Sequence, residues 1–193
     1  GMYRVAIFGS GSGTNAQNIL KYFEESEVAR VHLVLTNKRS AGIIDRARPY
    51  GVPVVVFDRD QMESGTVLER LESHKIDFIV LAGFLWKLPV DIIQRFENKI
   101  LNIHPALLPD YGGEGMHGMN VHRAVVENEE EETGITIHYV TEEYDEGEVV
   151  FQDSVEIDPD DTAEEVAGKV QELEHRHFPS VIEWVLTDLG SDE

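Results

Sequence analysis

The chain reads as an α/β protein with a Rossmann-like, mostly parallel sheet flanked by helices. An antiparallel strand pair is expected in the C-terminal half, followed by a long C-terminal helix. Three observations predict this. Short apolar runs alternate with amphipathic, helix-length segments from Tyr3 to Ile103, the pattern of parallel strands joined by right-handed crossovers. A glycine-rich turn, Gly9-Ser10-Gly11-Ser12-Gly13-Thr14, lies between the first run and the first helical segment. Beyond Asn120 the alternation gives way to two strand-like runs and one sustained helical period.

The first strand is expected over Tyr3–Phe8 and the first helix over residues 15–24. A second strand covers residues 31–36 and a helix 41–50; a third strand covers 52–57 and a helix 67–74. Phe78 to Ala82 is a continuous apolar run, typical of a strand covered on both faces. Pro89 suits the first turn of a helix ending near Phe96, where its missing N–H breaks no helical bond. Residues 100–103 form the next strand, and a helix of about three turns follows Asn120. Residues 134–140 and 148–155 read as an antiparallel pair joined by 141–147. Asp161 or Thr162 caps the last helix. Val166, Val170, Leu173, His177 and Val181 mark its buried stripe, with a bend at Pro179 and a frayed end over residues 190–193.

A chain of 193 residues, 41% hydrophobic, suits one compact domain with a sizeable core. It has no cysteine, which excludes a disulfide, a thiolate zinc site and a cysteine nucleophile. Its 37 acidic residues against 16 basic ones leave a formal charge of −21, unfavourable for nucleic acid or an anionic membrane. No apolar run approaches the roughly 20 residues that span a bilayer. Gly1 ahead of Met2 reads as a residue left by tag cleavage, and no secretory leader precedes the first strand; a cytoplasmic location is expected. The run from Glu127 to Glu132 reads as a solvated turn. This acidity still admits a small phosphorylated substrate held by backbone N–H groups.

The chemistry concentrates at Asn102-Ile103-His104-Pro105. Side chains two apart on a strand share a face, so Asn102 and His104 project together, and Pro105 stops the strand. The carboxyl end of a buried strand is where an open α/β sheet carries its site. The glycine-rich turn lacks the third glycine of a dinucleotide fingerprint, since Thr14 stands there. It also lacks the lysine of a Walker loop. A mononucleotide-type phosphate loop and a tight turn that packs strand on helix both remain open. Asp145 lies in a Gly-containing loop between the two late strands; placed beside His104, it would favour the imidazolium and fix its tautomer. His117 and His122 are too irregularly placed to suggest a metal site, and His175 and His177 fall on different faces of a helix.

Four blocks carry a resemblance: Gly11-Ser12-Gly13-Thr14-Asn15; Leu81-Ala82-Gly83-Phe84; Leu101-Asn102-Ile103-His104-Pro105-Ala106-Leu107-Leu108-Pro109; and Gly134-Ile135-Thr136-Ile137-His138-Tyr139-Val140 with Tyr144-Asp145-Glu146-Gly147. In these the chain resembles the phosphoribosylglycinamide formyltransferases, within the folate-dependent formyltransferase superfamily. The resemblance implies transfer of a formyl group from 10-formyltetrahydrofolate to the amine of glycinamide ribonucleotide, in purine biosynthesis and without a metal. It implies Asn102, protonated His104 and Asp145 as the catalytic trio. Gly11, Ser12, Gly13, Thr14, Asn15 and Glu174 would bind the ribonucleotide. Leu85, Trp86, Lys87, Leu88, Val140, Thr141, Glu142, Glu143 and Tyr144 would form the folate pocket. It further implies a single domain over residues 1–193, with about 1–110 forming the ribonucleotide half and 111–193 completing the folate site, as a monomer or homodimer. One departure stands out: between Tyr111 and Val125 many members carry a shorter Pro-Gly segment with a His-x-His pattern. Here the segment is Gly-rich, a candidate flap, and His117 and His122 are given no catalytic role. The alternatives are another folate-dependent N-formyltransferase, a formyltetrahydrofolate hydrolase and a non-enzymatic phosphate-binding module.

Overall fold

The structure, a computed structural model, describes residues 2–143 and 145–191. Its strands are β1 (Tyr3–Phe8), β2 (Ala29–Thr36), β3 (Val54–Val56), β4 (Phe78–Leu81), β5 (Ile100–His104), β6 (Glu132–Tyr139) and β7 (Val149–Glu156). They form one sheet in the order β3-β2-β1-β4-β5-β6-β7. The pairings from β3 through β5 are parallel, whereas β6 runs antiparallel to both β5 and β7. The helices are α1 (Thr14–Phe23), α2 (Gly42–Ala47), α3 (Arg59–Glu63), α4 (Thr66–Ser73), α5 (Val90–Arg95), α6 (Met119–Glu127) and α7 (Ala163–Ser191).

Period-two alternation divides the core between the two faces of the sheet. Val5, Ile7, Val80 and Leu101 pack with Ile19 and Phe23 of α1, Ile43 of α2, and Val170 and Ile182 of α7. Ala6, Phe8, Ile79 and Ile100 pack with Met62 of α3, Leu71 of α4 and Ile92 of α5. The chain builds outward from β1 to β3, then returns to place β4 on the other side of β1. The carboxyl ends of β1 and β4 therefore flank a topological switch point, where a crevice opens.

Several elements differ from their sequence expectation, each for a local reason. β2 starts at Ala29, drawn out by pairing with Tyr3. β3 shrinks to Val54–Val56, because only Val34, Leu35 and Thr36 run beside it. The second helix stops at Ala47 and tightens into a 3-10 turn over Arg48–Tyr50, which contains Pro49. A capping box creates the unanticipated α3: the Asp58 carboxylate accepts from Gln61 N–H at 2.8 Å, and the Gln61 side chain accepts from Asp58 N–H at 2.9 Å. Pro89 is the extended N-cap of α5, not part of its first turn. Helix α7 continues through Pro179 and includes Gly190 and Ser191, which were expected to fray; residues 192–193 lie outside the described residues. His177, assigned to the buried stripe, instead reaches Asp153 of β7 at 2.9 Å, and fully buried Phe178 fills the core beside it. The acidic run from Glu127 to Glu132 is exposed throughout.

Candidate active site

A cleft of about 700 Å³ opens at the switch point, along the carboxyl ends of β1, β4 and β5. One wall is the glycine-rich turn. Gly13 holds φ 81° as the N-cap of α1, and a Cβ there would lie 2.5 Å from the Cα of Ile43. No side chain caps α1, so the positive end of the helix faces the cleft with main-chain donors. Buried Ser10 donates to Asn37 at 2.6 Å and accepts from Leu85 N–H at 3.0 Å, tying this turn to the loop after β4. Gln171 of α7 donates to the Thr14 hydroxyl at 3.0 Å. Asn15 lies beside Glu174, and its buried Oδ1 has no protein partner. Glu174 keeps some surface open to the cleft, but burial pushes its carboxyl up to about 7 against the opposing Asn15 contact. Gly11, Ser12, Gly13, Thr14, Asn15 and Glu174 thus all line the cleft.

The centre is built by the β5–β6 pairing. The register sets Asn102 opposite His138 and His104 opposite Thr136. The loop after β6 returns Asp145 over this pair. Its Oδ2 lies 3.7 Å from His104 Nδ1, and its Oδ1 lies 3.6 Å from His138 Nε2. Gly113 N–H donates to Asp145 Oδ2 at 2.9 Å. His104 Nε2 lies 2.7 Å from the Tyr111 carbonyl. A carbonyl only accepts, so this nitrogen carries the proton and neutral His104 has its lone pair on Nδ1. By the same reasoning His138 bears its proton on Nδ1, 2.9 Å from the Tyr139 carbonyl, and accepts from the Asn102 amide at 3.1 Å through Nε2.

These contacts correct the expected charge of His104. Burial pushes its pKa below the ordinary histidine value; Asp145 and the Tyr111 carbonyl pull upward but do not prevail. His104 is therefore neutral at pH 7, not an imidazolium. Asp145 has the opposite balance. Burial works to raise its pKa, yet His138, His104 and Gly113 N–H together hold it below the usual carboxylate range. The resting site thus pairs a neutral imidazole with a carboxylate.

The loop after β4 and the loop after β6 also line the cleft. Leu85, Trp86, Lys87 and Leu88 line it, as do Val140, Thr141 and Glu143. Trp86 joins an aromatic cluster with Phe57 and Phe84, and the Arg59 guanidinium covers its ring at 4.2 Å. Thr141 accepts from Glu143 N–H at 3.3 Å, which folds the start of the second loop. Glu142 is exposed and does not line the cleft, and Tyr144 lies outside the described residues.

Three histidines given no role from the sequence line the cleft: His138, His117 and His122. His138 was legible in part, because Thr136-x-His138 mirrors Asn102-x-His104 on the neighbouring strand. His122 is buried with an unpartnered Nδ1, and burial followed by the nearness of His104 lowers its pKa. Nothing in the irregular spacing around it signalled this position.

The chain matches the formyl transferase family over residues 3–182. It is 39% identical to the chloroplastic phosphoribosylglycinamide formyltransferase of Arabidopsis thaliana, over 93% of this chain and 64% of the relative, so it spans less than two thirds of that protein's length. It is 37% identical to the phosphoribosylglycinamide formyltransferase of Haemophilus influenzae, over 95% of this chain and 87% of the relative. Among solved structures, the phosphoribosylglycinamide formyltransferase of Anaplasma phagocytophilum superposes with a TM-score of 0.89 at 30% identity, covering 97% of this chain and 89% of that one.

Proposed function

This chain belongs to the formyl transferase family, and from that premise we propose that it transfers the formyl group of 10-formyltetrahydrofolate to the amine of glycinamide ribonucleotide. One observation carries the reading: a single cleft is lined by the open start of α1, by the aromatic-backed loop after β4, and by Asn102, His104 and Asp145. The helix start and its glycine turn suit the ribonucleotide phosphate. The unpartnered Asn15 Oδ1 and Glu174 suit its hydroxyl and amine donors. The lining by Leu85, Trp86 and Val140 suits the flat ring of the folate.

The mechanism follows from the protonation states. The substrate amine attacks the formyl carbon, forming a C–N bond and a tetrahedral oxyanion. One Asn102 amide hydrogen is engaged by His138, and the other donates to that oxygen; such a donor is typically worth roughly 100- to 1000-fold in rate. His104 Nδ1 takes the proton released by the attacking nitrogen. The nearby Asp145 carboxylate stabilises the imidazolium so formed. That proton then passes to N10 of the folate as the C–N10 bond breaks, which returns His104 to its neutral form.

The deciding measurement follows release of deformylated folate by absorbance, with and without glycinamide ribonucleotide. The expected outcome is release only when the ribonucleotide is present. Release in its absence would mark a hydrolase instead. A folded protein inactive in both assays would overturn the reading.

A further inference from the structure

We propose that the turn Tyr111–Gly113 is the positioning element of the catalytic base. Its main chain selects the tautomer of His104 and holds Asp145 against it. The inference rests on the reaction proposed above only for the word base; the tautomer itself is a property of the resting protein.

Two acceptors compete for the single ring proton of neutral His104. The Tyr111 carbonyl lies 2.7 Å from Nε2, within hydrogen-bonding distance. The Asp145 carboxylate lies 3.7 Å from Nδ1, beyond it. The nearer carbonyl therefore wins, although the carboxylate carries the larger charge. This outcome leaves the lone pair on Nδ1, where a base can use it. In the other tautomer Nδ1 would point its proton at Asp145, and His104 would offer no lone pair on that nitrogen. The same turn also limits the competitor, because Gly113 N–H holds Asp145 Oδ2 at 2.9 Å.

The conformation that achieves this is unusual. Tyr111 has φ 56° and Gly113 has φ 92°, left-handed values on either side of Gly112. A Cβ added at Gly113 would meet no atom within 4 Å, so a substitution there acts on the backbone and not by filling the site. Valine strongly disfavours positive φ, whereas asparagine is among the side chains that adopt it most readily.

The test is 15N NMR of the histidine rings in the full chain without substrate, at pH 8. The His104 signal is assigned by its loss in His104→Asn. The wild type is expected to show protonated Nε2 and bare Nδ1. Gly113→Val is expected to populate the Nδ1–H form and to lower kcat by about 10- to 100-fold, with a smaller change in KM. Gly113→Asn, which tolerates positive φ better than valine, should fall between the wild type and Gly113→Val in both tautomer and kcat. A wild-type His104 that is mainly Nδ1–H would overturn the proposal. So would a folded Gly113→Val protein whose tautomer is unchanged. If Gly113→Val does not fold, the wild-type spectrum still decides. The expected spectrum from a protein that transfers no formyl group would count against the proposed reaction and not against the turn.

Discussion

At the scale of single residues, the site turns on a contest between burial and charge. His104 is 3% exposed, and a carboxylate 3.7 Å away does not offset the loss of hydration. In the proposed mechanism His104 works in its neutral form, so activity is expected to fall as pH drops through its depressed pKa. Asp145 raises that pKa, so removing its charge lowers it further. Asp145→Asn is therefore expected to cut kcat by about 100- to 1000-fold while the acid limb of the residual pH–kcat profile moves to lower pH. Near-wild-type turnover, or a limb displaced upward, would remove Asp145 from its assigned role. The residue types of this trio were legible in Asn102-x-His104 and in the later Asp145. The charge on His104 was not, because a local sequence does not reveal how much protein surrounds a ring.

At the scale of elements, the site depends on β6 lying antiparallel beside β5. Thr136 is the joint between them. Its hydroxyl donates to the Ala106 carbonyl at 2.7 Å, and its oxygen accepts from Leu108 N–H at 3.0 Å and from Gln152 at 2.9 Å. These bonds fix the loop that leaves His104 and leads to the Tyr111 turn. Thr136→Val keeps the shape but strands a buried main-chain donor, a loss of about 1–3 kcal/mol. We expect a reduced urea midpoint with unchanged slope, together with a lower kcat from the displaced loop. An unchanged midpoint would show that water or a relaxed loop satisfies Leu108. The long periodic elements were readable from apolar spacing, as with β1, β4 and α7. The short ones were not: α3 exists through a reciprocal cap at Asp58 and Gln61, and β3 extends only as far as its neighbour runs beside it.

At the scale of the whole molecule, a formal charge of −21 makes the folded chain repel itself. Raising salt from about 0.02 to 0.3 M shortens the screening length to below about 10 Å. The melting temperature should then rise by about 2–4 °C, the equivalent of roughly 1 kcal/mol for a chain of this size. A fall would mean that the surface ion pairs, such as Arg95–Glu72, outweigh the repulsion. The sequence by itself determined the α/β class and the order of its main elements, and it singled out Asn102, His104 and Asp145 as candidates. Periodicity, turn chemistry and residue type are local properties, written in consecutive residues. Only the tertiary structure decided that His138 sits between Asn102 and Asp145, that Glu142 does not line the cleft, and that His104 rests neutral with its proton on Nε2. Those outcomes depend on distances across strands and loops far apart in the chain, and on burial summed over every neighbour. Both exist only once the strands and their loops have assembled at the site.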